Sequence, residues 1–320
     1  MISDILVIFA TIILFLFAVS KFSRSIERVA GEKMKLYLSK ITETRFRSTF
    51  IGFIVNAIVQ SNSALTVTLV GLVNAGLITF RGALGVIIGS NVGNTLTSQM
   101  IAFNVIGLAP LFIVIGFIMR RFHSPVKHYS GPVFYFGLMF LSLSYIQLLI
   151  HPYTQSPETL KIISSVDNIY LAIIAGIIIS LIFQSSTVTS VLAITLATQG
   201  LLNFDQSFGI IMGSGVGTTA TALMAAIVMN TAAQRTAVAH FLFNIVGAIL
   251  AIILHNPLKN LLLSLDTSLG QTLANAHVLM SIITAIVLLL LFNIYAKIVE
   301  KIIPERGLFH KTRNVIENKI

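Results

Sequence analysis

Two stretches of this chain repeat one another 124 residues apart, without a gap. Gln60 and Ser61 in the first align with Gln184 and Ser185 in the second. Gly76-Leu77 aligns with Gly200-Leu201, Phe80 with Phe204 and Gly85 with Gly209. Gly89-Ser90 then aligns with Gly213-Ser214, Val92-Gly93 with Val216-Gly217, Thr95 with Thr219, and Thr97 with Thr221. The clusters Gln60-Ser61-Asn62-Ser63 and Gln184-Ser185-Ser186-Thr187 each interrupt an apolar stretch near its middle, at 49–78 and 169–202. Each stretch is too long for one membrane crossing of about 20 residues, and each half is too short. A re-entrant hairpin with the polar cluster at its tip meets both constraints. Irregular backbone at membrane depth is tolerated where it is buried in protein or lines a wet cavity. Repeats of this length and polarity mark a transporter rather than a solenoid.

Composition agrees with a membrane setting. Of 320 residues, 56% are hydrophobic and only 10% charged, with a mean hydropathy of +0.93. Soluble domains carry about 25% charged residues. So few charges could not coat the two soluble domains that the length alone would suggest. Lys and Arg number 21 against 11 Asp and Glu. In a soluble protein that excess would suggest nucleic acid. Here it indicates basic loops on the cytoplasmic side of a bilayer, and no nucleic-acid partner is expected. With no cysteine in the chain, disulfides, thiolate metal sites and a cysteine nucleophile are excluded.

The first apolar segment, 2–22, has Asp4 and no basic residue ahead of it, and no small-x-small cleavage site follows. It reads as an uncleaved anchor rather than a secretory signal. Lys21, Arg24 and Arg28 at its end place the N-terminus outside. Residues 23–48 interleave basic residues with Ile26, Val29, Met34, Leu36 and Leu38. That pattern predicts one or two helices at the cytoplasmic headgroups rather than a solvated linker. Further apolar segments lie at 82–103, 102–119, 131–150, 207–230, 233–254 and 276–303.

If the first hairpin enters from the cytoplasm, Arg81, Arg120, Arg121, Lys127 and Arg235 fall inside. So do Lys297, Lys301, Arg306, Lys311, Arg313 and Lys319. The loop 151–168, with Glu158, Asp167 and a single Lys161, falls outside, as does 255–275 with Lys259 and Asp266. This gives seven spans and two re-entrant hairpins, with the C-terminus in the cytoplasm. The repeats come out inverted, since Arg81, inside, aligns with Asp205, outside. The expected fold is an all-α integral membrane protein with two inverted-topology repeats, each holding a re-entrant helical hairpin and a broken helix. Its parts are an anchor with interfacial helices (1–48), repeat 1 (49–150), repeat 2 (168–275), a C-terminal transmembrane helix (276–303) and a basic tail (304–320).

The chemistry concentrates at the tips and at two glycine-rich motifs, Gly89-Ser90-Asn91-Val92-Gly93-Asn94-Thr95 and Gly213-Ser214-Gly215-Val216-Gly217-Thr218-Thr219. Glycine there is expected to let the helix unwind and a ligand approach its backbone. Exposed N–H groups attract anions and exposed carbonyls attract cations. Hydroxyl, amide and carbonyl oxygens suit an alkali cation. None of the four motifs contains Lys, Arg, His, Asp or Glu. An anion would be held by dipoles, amides and hydroxyls, with a co-bound cation supplying charge, as suits symport. Small and hydroxylated residues also pack transmembrane helices without binding anything. Two matched tips, each followed by a matched glycine motif, favour binding. His240 and Asn244 share a helical face; a bond to a neighbouring helix is their simpler role, and support of the site the other. His128 beside Lys127 reads as solvated, and Asn56 and Asn74 as stabilising the first hairpin.

The run Val59-Gln60-Ser61-Asn62-Ser63, followed by Gly76-Leu77-Ile78 and Gly85 to Thr95, resembles the type II sodium–phosphate cotransporter family. Gln184-Ser185-Ser186-Thr187 with Gly213 to Thr219 resembles that family's second repeat, and His240-Phe241-Leu242-Phe243-Asn244 a motif that follows it. The resemblance covers residues 45–250. It implies inverted repeats and sodium-coupled movement of inorganic phosphate, with both bound between the two tips. Carried over by position, the candidates are Gln60, Ser61, Asn62, Ser63, Asn94, Thr95, Gln184, Ser185, Ser186, Thr187, Thr218 and Thr219. Asn91 and Ser214 of the glycine motifs complete the set. Sodium is expected at Gln60, Ser61, Ser63, Gln184, Ser185 and Thr187, shared with the substrate.

Asn62 stands where the pattern has serine, and Asn94 where threonine is usual; both keep an oxygen donor. The chain ends in a short basic tail rather than the PhoU-like domain of many bacterial relatives. A separate PhoU-like regulator and a homodimer are held open as partners, beside phosphate, sodium and the bilayer of a plasma membrane. Other readings are a transporter or exporter of another oxyanion or organic anion, a membrane enzyme, and a structural scaffold. An enzyme is disfavoured because no acid–base pair, metal cluster or nucleophile–His arrangement lies within the helices. A scaffold needs no polar tips at membrane depth. Beyond Na+ as the coupling ion, no cofactor is expected.

Overall fold

The computed structural model describes residues 2–41, 44–102, 105–122, 125–153, 156, 166, 168–265 and 267–305. Regular structure among them is helical throughout. α1 (Ile2–Ile41) leads into α2 (Arg45–Val59), α3 (Asn62–Asn74), α4 (Phe80–Gly93) and α5 (Leu96–Ala102). A short 3-10 turn precedes α6 (Ala109–Met119), and α7 (Val126–Ile150) follows. Next come α8 (Ile169–Phe183), α9 (Ser186–Thr198), α10 (Phe204–Thr218) and α11 (Ala220–Ala226). α12 (Thr231–Leu263), α13 (Leu269–Leu290) and α14 (Phe292–Ile302) complete the chain.

The 124-residue register holds in the helices themselves. α2, α3, α4 and α5 begin at 45, 62, 80 and 96; α8, α9, α10 and α11 begin at 169, 186, 204 and 220. Each unit is a helix–turn–helix pair followed by a helix broken near its end. The pairs have 15 and 13 residues in both units. At about 1.5 Å per residue, each arm is about 20 Å long, short of a bilayer's hydrocarbon core of about 30 Å.

Matched glycines hold each unit together. A Cβ on Gly52 would collide with the Val86 backbone, and one on Gly89 with the Thr49 carbonyl, so α2 and α4 meet backbone to backbone. Gly176 against Ile210 and Gly213 against Ile173 do the same for α8 and α10. Glycine allows this close approach because it has no side chain. The finding narrows the expected break at the glycine motifs to their last residues. Gly89 to Gly93 and Gly213 to Gly217 stay helical, and the turns fall beyond them, at Asn94-Thr95 and at Thr219.

Three other expectations change. Residues 23–41 do not form separate interfacial helices but continue α1 unbroken. The segment is rich in Glu, Lys, Arg, Leu and Met and has no proline, so nothing stops the helix. Among the described residues, five helical segments are long and apolar enough to cross a membrane, against seven expected spans: Leu6–Ile26, Val126–Tyr153, Phe204–Ala226, Thr231–Leu263 and Leu269–Leu290. The expected span at 82–103 is divided between α4 and α5, and that at 102–119 is carried by the 11-residue α6. The expected last span also divides. α13 turns at Leu291, and α14 is a separate amphipathic helix burying Phe292, Tyr295, Ala296 and Val299 at helical spacing.

Side-chain bonds mark two opposite poles of the molecule. Arg235, near the start of α12, donates to the Ile303 carbonyl at the end of α14 (2.8 Å), and Arg81 bonds Asn293 at its start. At the far end of α12, Lys259 and His255 both contact Asp205, at 2.8 and 2.9 Å. Arg235 and Lys259 are separated along that helix by about 36 Å. Arg81 and Asp205, which occupy the same position in the two repeats, thus sit at opposite poles. Glu158, Lys161, Asp167, Asp266 and the tail residues Arg306, Lys311, Arg313 and Lys319 lie outside the described residues.

Candidate substrate and ion site

Both tips are built identically. Gln60 and Gln184 take the left-handed conformation (φ 55° and 51°), the only non-glycine residues among those described to do so. That conformation strains an L-residue but turns the chain sharply between the arms. The next residue, Ser61 or Ser185, is extended and caps the second arm, accepting from Ala64 N or Val188 N. The first backbone N–H groups of α3 and α9 have no partner within their own helices. Two helix N-termini with this partial positive charge thus open at the tips.

The tips also reach across to each other's units. The Ser63 hydroxyl is 2.9 Å from the Thr218 hydroxyl, and the Thr187 hydroxyl donates to Asn94 Oδ1 at 3.2 Å. Ser63 corresponds to Thr187 and Asn94 to Thr218, so these are one contact made twice with the roles exchanged. Such reciprocity is the mark of a two-fold relation. Ser63 also approaches the Gln184 carbonyl, and Asn94 Nδ2 approaches Ser186 Oγ, both at 3.4 Å.

The candidates line two spaces. A cavity of about 640 Å³ is lined by Gln60, Ser61, Ser63, Gln184, Ser185 and Thr187, the six residues at which sodium is expected. Asn62 and Ser186 also reach it. A second space of about 40 Å³ lies against Asn62, Asn91, Asn94, Ser186 and Ser214, and against Asn244 of α12. Thr95, Thr218 and Thr219 line neither. Thr95 and Thr219 bond their own helices at Val92 O and Val216 O. Asn62 is the most connected candidate. Its Nδ2 donates to Asn91 Oδ1 (2.9 Å) and lies 3.1 Å from His240 Nε2, while its Oδ1 accepts from Ser90. His240 therefore bonds a neighbouring helix, as the simpler reading had it, and the partner is a tip residue. Asn244 donates to the His240 carbonyl and faces Gly215. Asn56 donates to the Ser90 carbonyl at 2.6 Å, tying α2 to α4.

The two-fold relation breaks on the far side of the tips. The Thr97 hydroxyl bonds Gln60 Oε1, whereas the matching Thr221 and Gln184 both line the large cavity unbonded to each other. Behind Thr97, Ser98 meets His277 (2.8 Å), and Gln99, Gln271 and Asn275 form a hydrogen-bonded cluster. Val67 on the cavity wall is 36% exposed, while its counterpart Val191 is 2% exposed. The site is open on one side and sealed on the other.

Sequence reasoning missed one wall. Ser20, Ser23 and Arg24 of α1 line the large cavity, although α1 lies outside both repeats and Arg24 had been assigned to the cytoplasmic border. Lys21 and Arg24 falling within the apolar window Leu6–Ile26 is the only mark of this in the sequence.

Fold and site define a helical membrane protein of duplicated construction, with two polar tips meeting at one cavity. Residues 14–148 and 156–274 match the Na+/Pi-cotransporter family, and the chain belongs to that family, one of phosphate transport. It is 27% identical over 307 residues to the uncharacterized protein YqeW of Bacillus subtilis, covering 94% of this chain and 99% of that one. It is 29% identical over 238 residues to YjbB of Salmonella typhimurium, named as a candidate inorganic phosphate export protein. That match spans 73% of this chain but only 44% of YjbB. Over 85 residues it is 35% identical to the human sodium-dependent phosphate transport protein 2C, covering 25% of this chain and 14% of that protein. No solved structure matches the chain.

Proposed function

We propose that the protein is a secondary transporter that couples sodium to the movement of inorganic phosphate across the plasma membrane by alternating access. The reciprocal pair of cross-repeat bonds, Ser63 with Thr218 and Thr187 with Asn94, carries this reading. It joins the two tips at one cavity, where two helix N-termini favour an anion and neutral oxygens suit sodium. Each ion makes burial of the other less costly. The name of the human relative supports sodium as the coupling ion.

The opposite placement of Arg81 and Asp205 supports inverted repeats with re-entrant hairpins, at 49–150 and 168–275. The basic residues at the Arg81 and Arg235 pole support a cytoplasmic position for it, with the N-terminus outside. On that topology the cavity opens inward, since Arg24 and Thr221 lie on its cytoplasmic side. The similarity to YjbB favours export as a second reading of direction, which the ion gradients would set.

The test is labelled phosphate in proteoliposomes under an imposed sodium, potassium or proton gradient. Uptake that needs sodium is expected. Uptake indifferent to sodium would refute the coupling, and none in either direction would refute phosphate as substrate. Ser61 or Ser185 replaced by a bulkier residue is expected to abolish transport while the protein stays folded.

A further inference from the structure

We infer that α1 carries a second oxyanion site, built from Arg24, Ser23 and Ser20, at which the anion docks on its way between the tips and the cavity mouth. The inference rests on the phosphate-transport reading. Three observations point to it. Among the described residues, Arg24 is the one charged residue on the wall of the large cavity. It has no ion-pair partner among the described residues. Ser23 lines the same cavity and is 8% exposed, yet its hydroxyl has no hydrogen-bond partner.

Several buried serines in its helices bond a carbonyl one turn back: Ser48 to Thr44, Ser142 to Leu138, Ser180 to Ile177, Ser214 to Ile211. Ser23 and Ser207 do not, and of these two only Ser23 lines the large cavity. A buried hydroxyl left unsatisfied is costly, and a bound ion or molecule is one way to satisfy it.

The chemistry selects the ligand. A guanidinium offers a planar fork of donors that matches two oxygens of a tetrahedral oxyanion. Two serine hydroxyls one turn apart on the same helix add further donors. With no acidic residue on the cavity wall among those described, the field there favours an anion. Leu16 lines the same wall, and Arg24 lies about 12 Å further along α1. A charge there draws the anion in without fixing it between the tips, where release must remain easy.

The test uses the full-length purified protein and its thermal stabilisation by inorganic phosphate at constant ionic strength, with sodium present. Arg24→Gln is expected to raise the half-saturating phosphate concentration about tenfold, and Arg24→Lys to restore most of the loss. Ser23→Ala should raise it two- to threefold. The half-saturating sodium concentration should stay unchanged in all three, which a merely structural role for Arg24 would not predict. Equal phosphate affinity in wild type and Arg24→Gln would overturn the site, as would a parallel loss of the sodium and phosphate responses in Arg24→Lys. If Arg24→Gln fails to fold, Arg24→Lys and Ser23→Ala decide. Wild type stabilised by sulfate but not by phosphate, with the same dependence on Arg24, would keep the site and refute phosphate as the substrate. No stabilisation by phosphate, sulfate or arsenate would overturn both.

Discussion

The bond between Thr97 and Gln60 closes one side of the site, and its loss should move the conformational balance. Thr97→Val keeps the shape of the side chain and removes the hydroxyl. Thr97 is buried and Gln60 half-buried on the cavity wall, so Gln60 Oε1 would lose its partner with only partial replacement by cavity water. Such a loss costs about 1–3 kcal/mol. Taking about 1 kcal/mol as the part specific to the sealed state, the population open on the opposite side rises about fivefold. The chain's lack of cysteine makes the measurement clean. Val191→Cys sits on the sealed side, at the position matching Val67 on the cavity wall. Its reaction rate with a water-soluble maleimide reports the rare opposite-facing state. Thr97→Val should speed that labelling about fivefold while Val67→Cys labelling falls slightly. Thr221→Val is the control. Thr221 does not bond Gln184, so its substitution should leave Val191→Cys labelling nearly unchanged. Equal labelling of Val191→Cys with and without the Thr97 hydroxyl would refute the idea that this bond holds the seal.

Other outcomes follow from the same geometry. Gly213→Ala drives a Cβ into the Ile173 backbone and should destabilise by about 1–3 kcal/mol; Gly71→Ala, with open space around it, should be neutral or slightly stabilising in a melt. Gln184→Gly relieves the left-handed strain, so its Tm should hold within a few degrees while transport is lost, and Gln184→Val should lower stability by about 1–2 kcal/mol. A double-mutant cycle on Ser63→Ala and Thr218→Val should give a coupling of about 0.5–1.5 kcal/mol. The Thr187 and Asn94 pair should give a similar value, and zero coupling in both would show that the units do not bond across the tips.

The register of 124 was legible in the sequence because most of its matched residues are polar or glycine, where apolar drift cannot mimic identity. The tips were legible for the same reason, since Gln60-Ser61 and Gln184-Ser185 interrupt otherwise apolar runs. What the glycines do was not legible. Gly89 and Gly213 read equally well as places to unwind or to pack, and only the position of α2 and α8 against them decides. The turn at Leu291 was only half legible: Asn293, Lys297, Glu300 and Lys301 follow it, but polar residues at the end of an apolar run mark the border of a span as readily as a separate amphipathic helix. Arg24 was hidden by its dual character. A cation after an apolar run marks topology, and its sequence neighbours do not reveal that α1 leans over the cavity.

The glycine seams have a mechanical consequence. Where two helices touch backbone to backbone, neither can slide without driving carbonyls into Cα atoms. α2 with α4, and α8 with α10, each form a stiff block. Between the blocks at the tips lie hydroxyls and amides, such as Ser63 against Thr218, whose bonds can be traded for others of similar strength. Deformation should therefore concentrate in the thin polar layer, with each block carried along undistorted. The material that binds the ions would then also be the bearing on which the two halves turn.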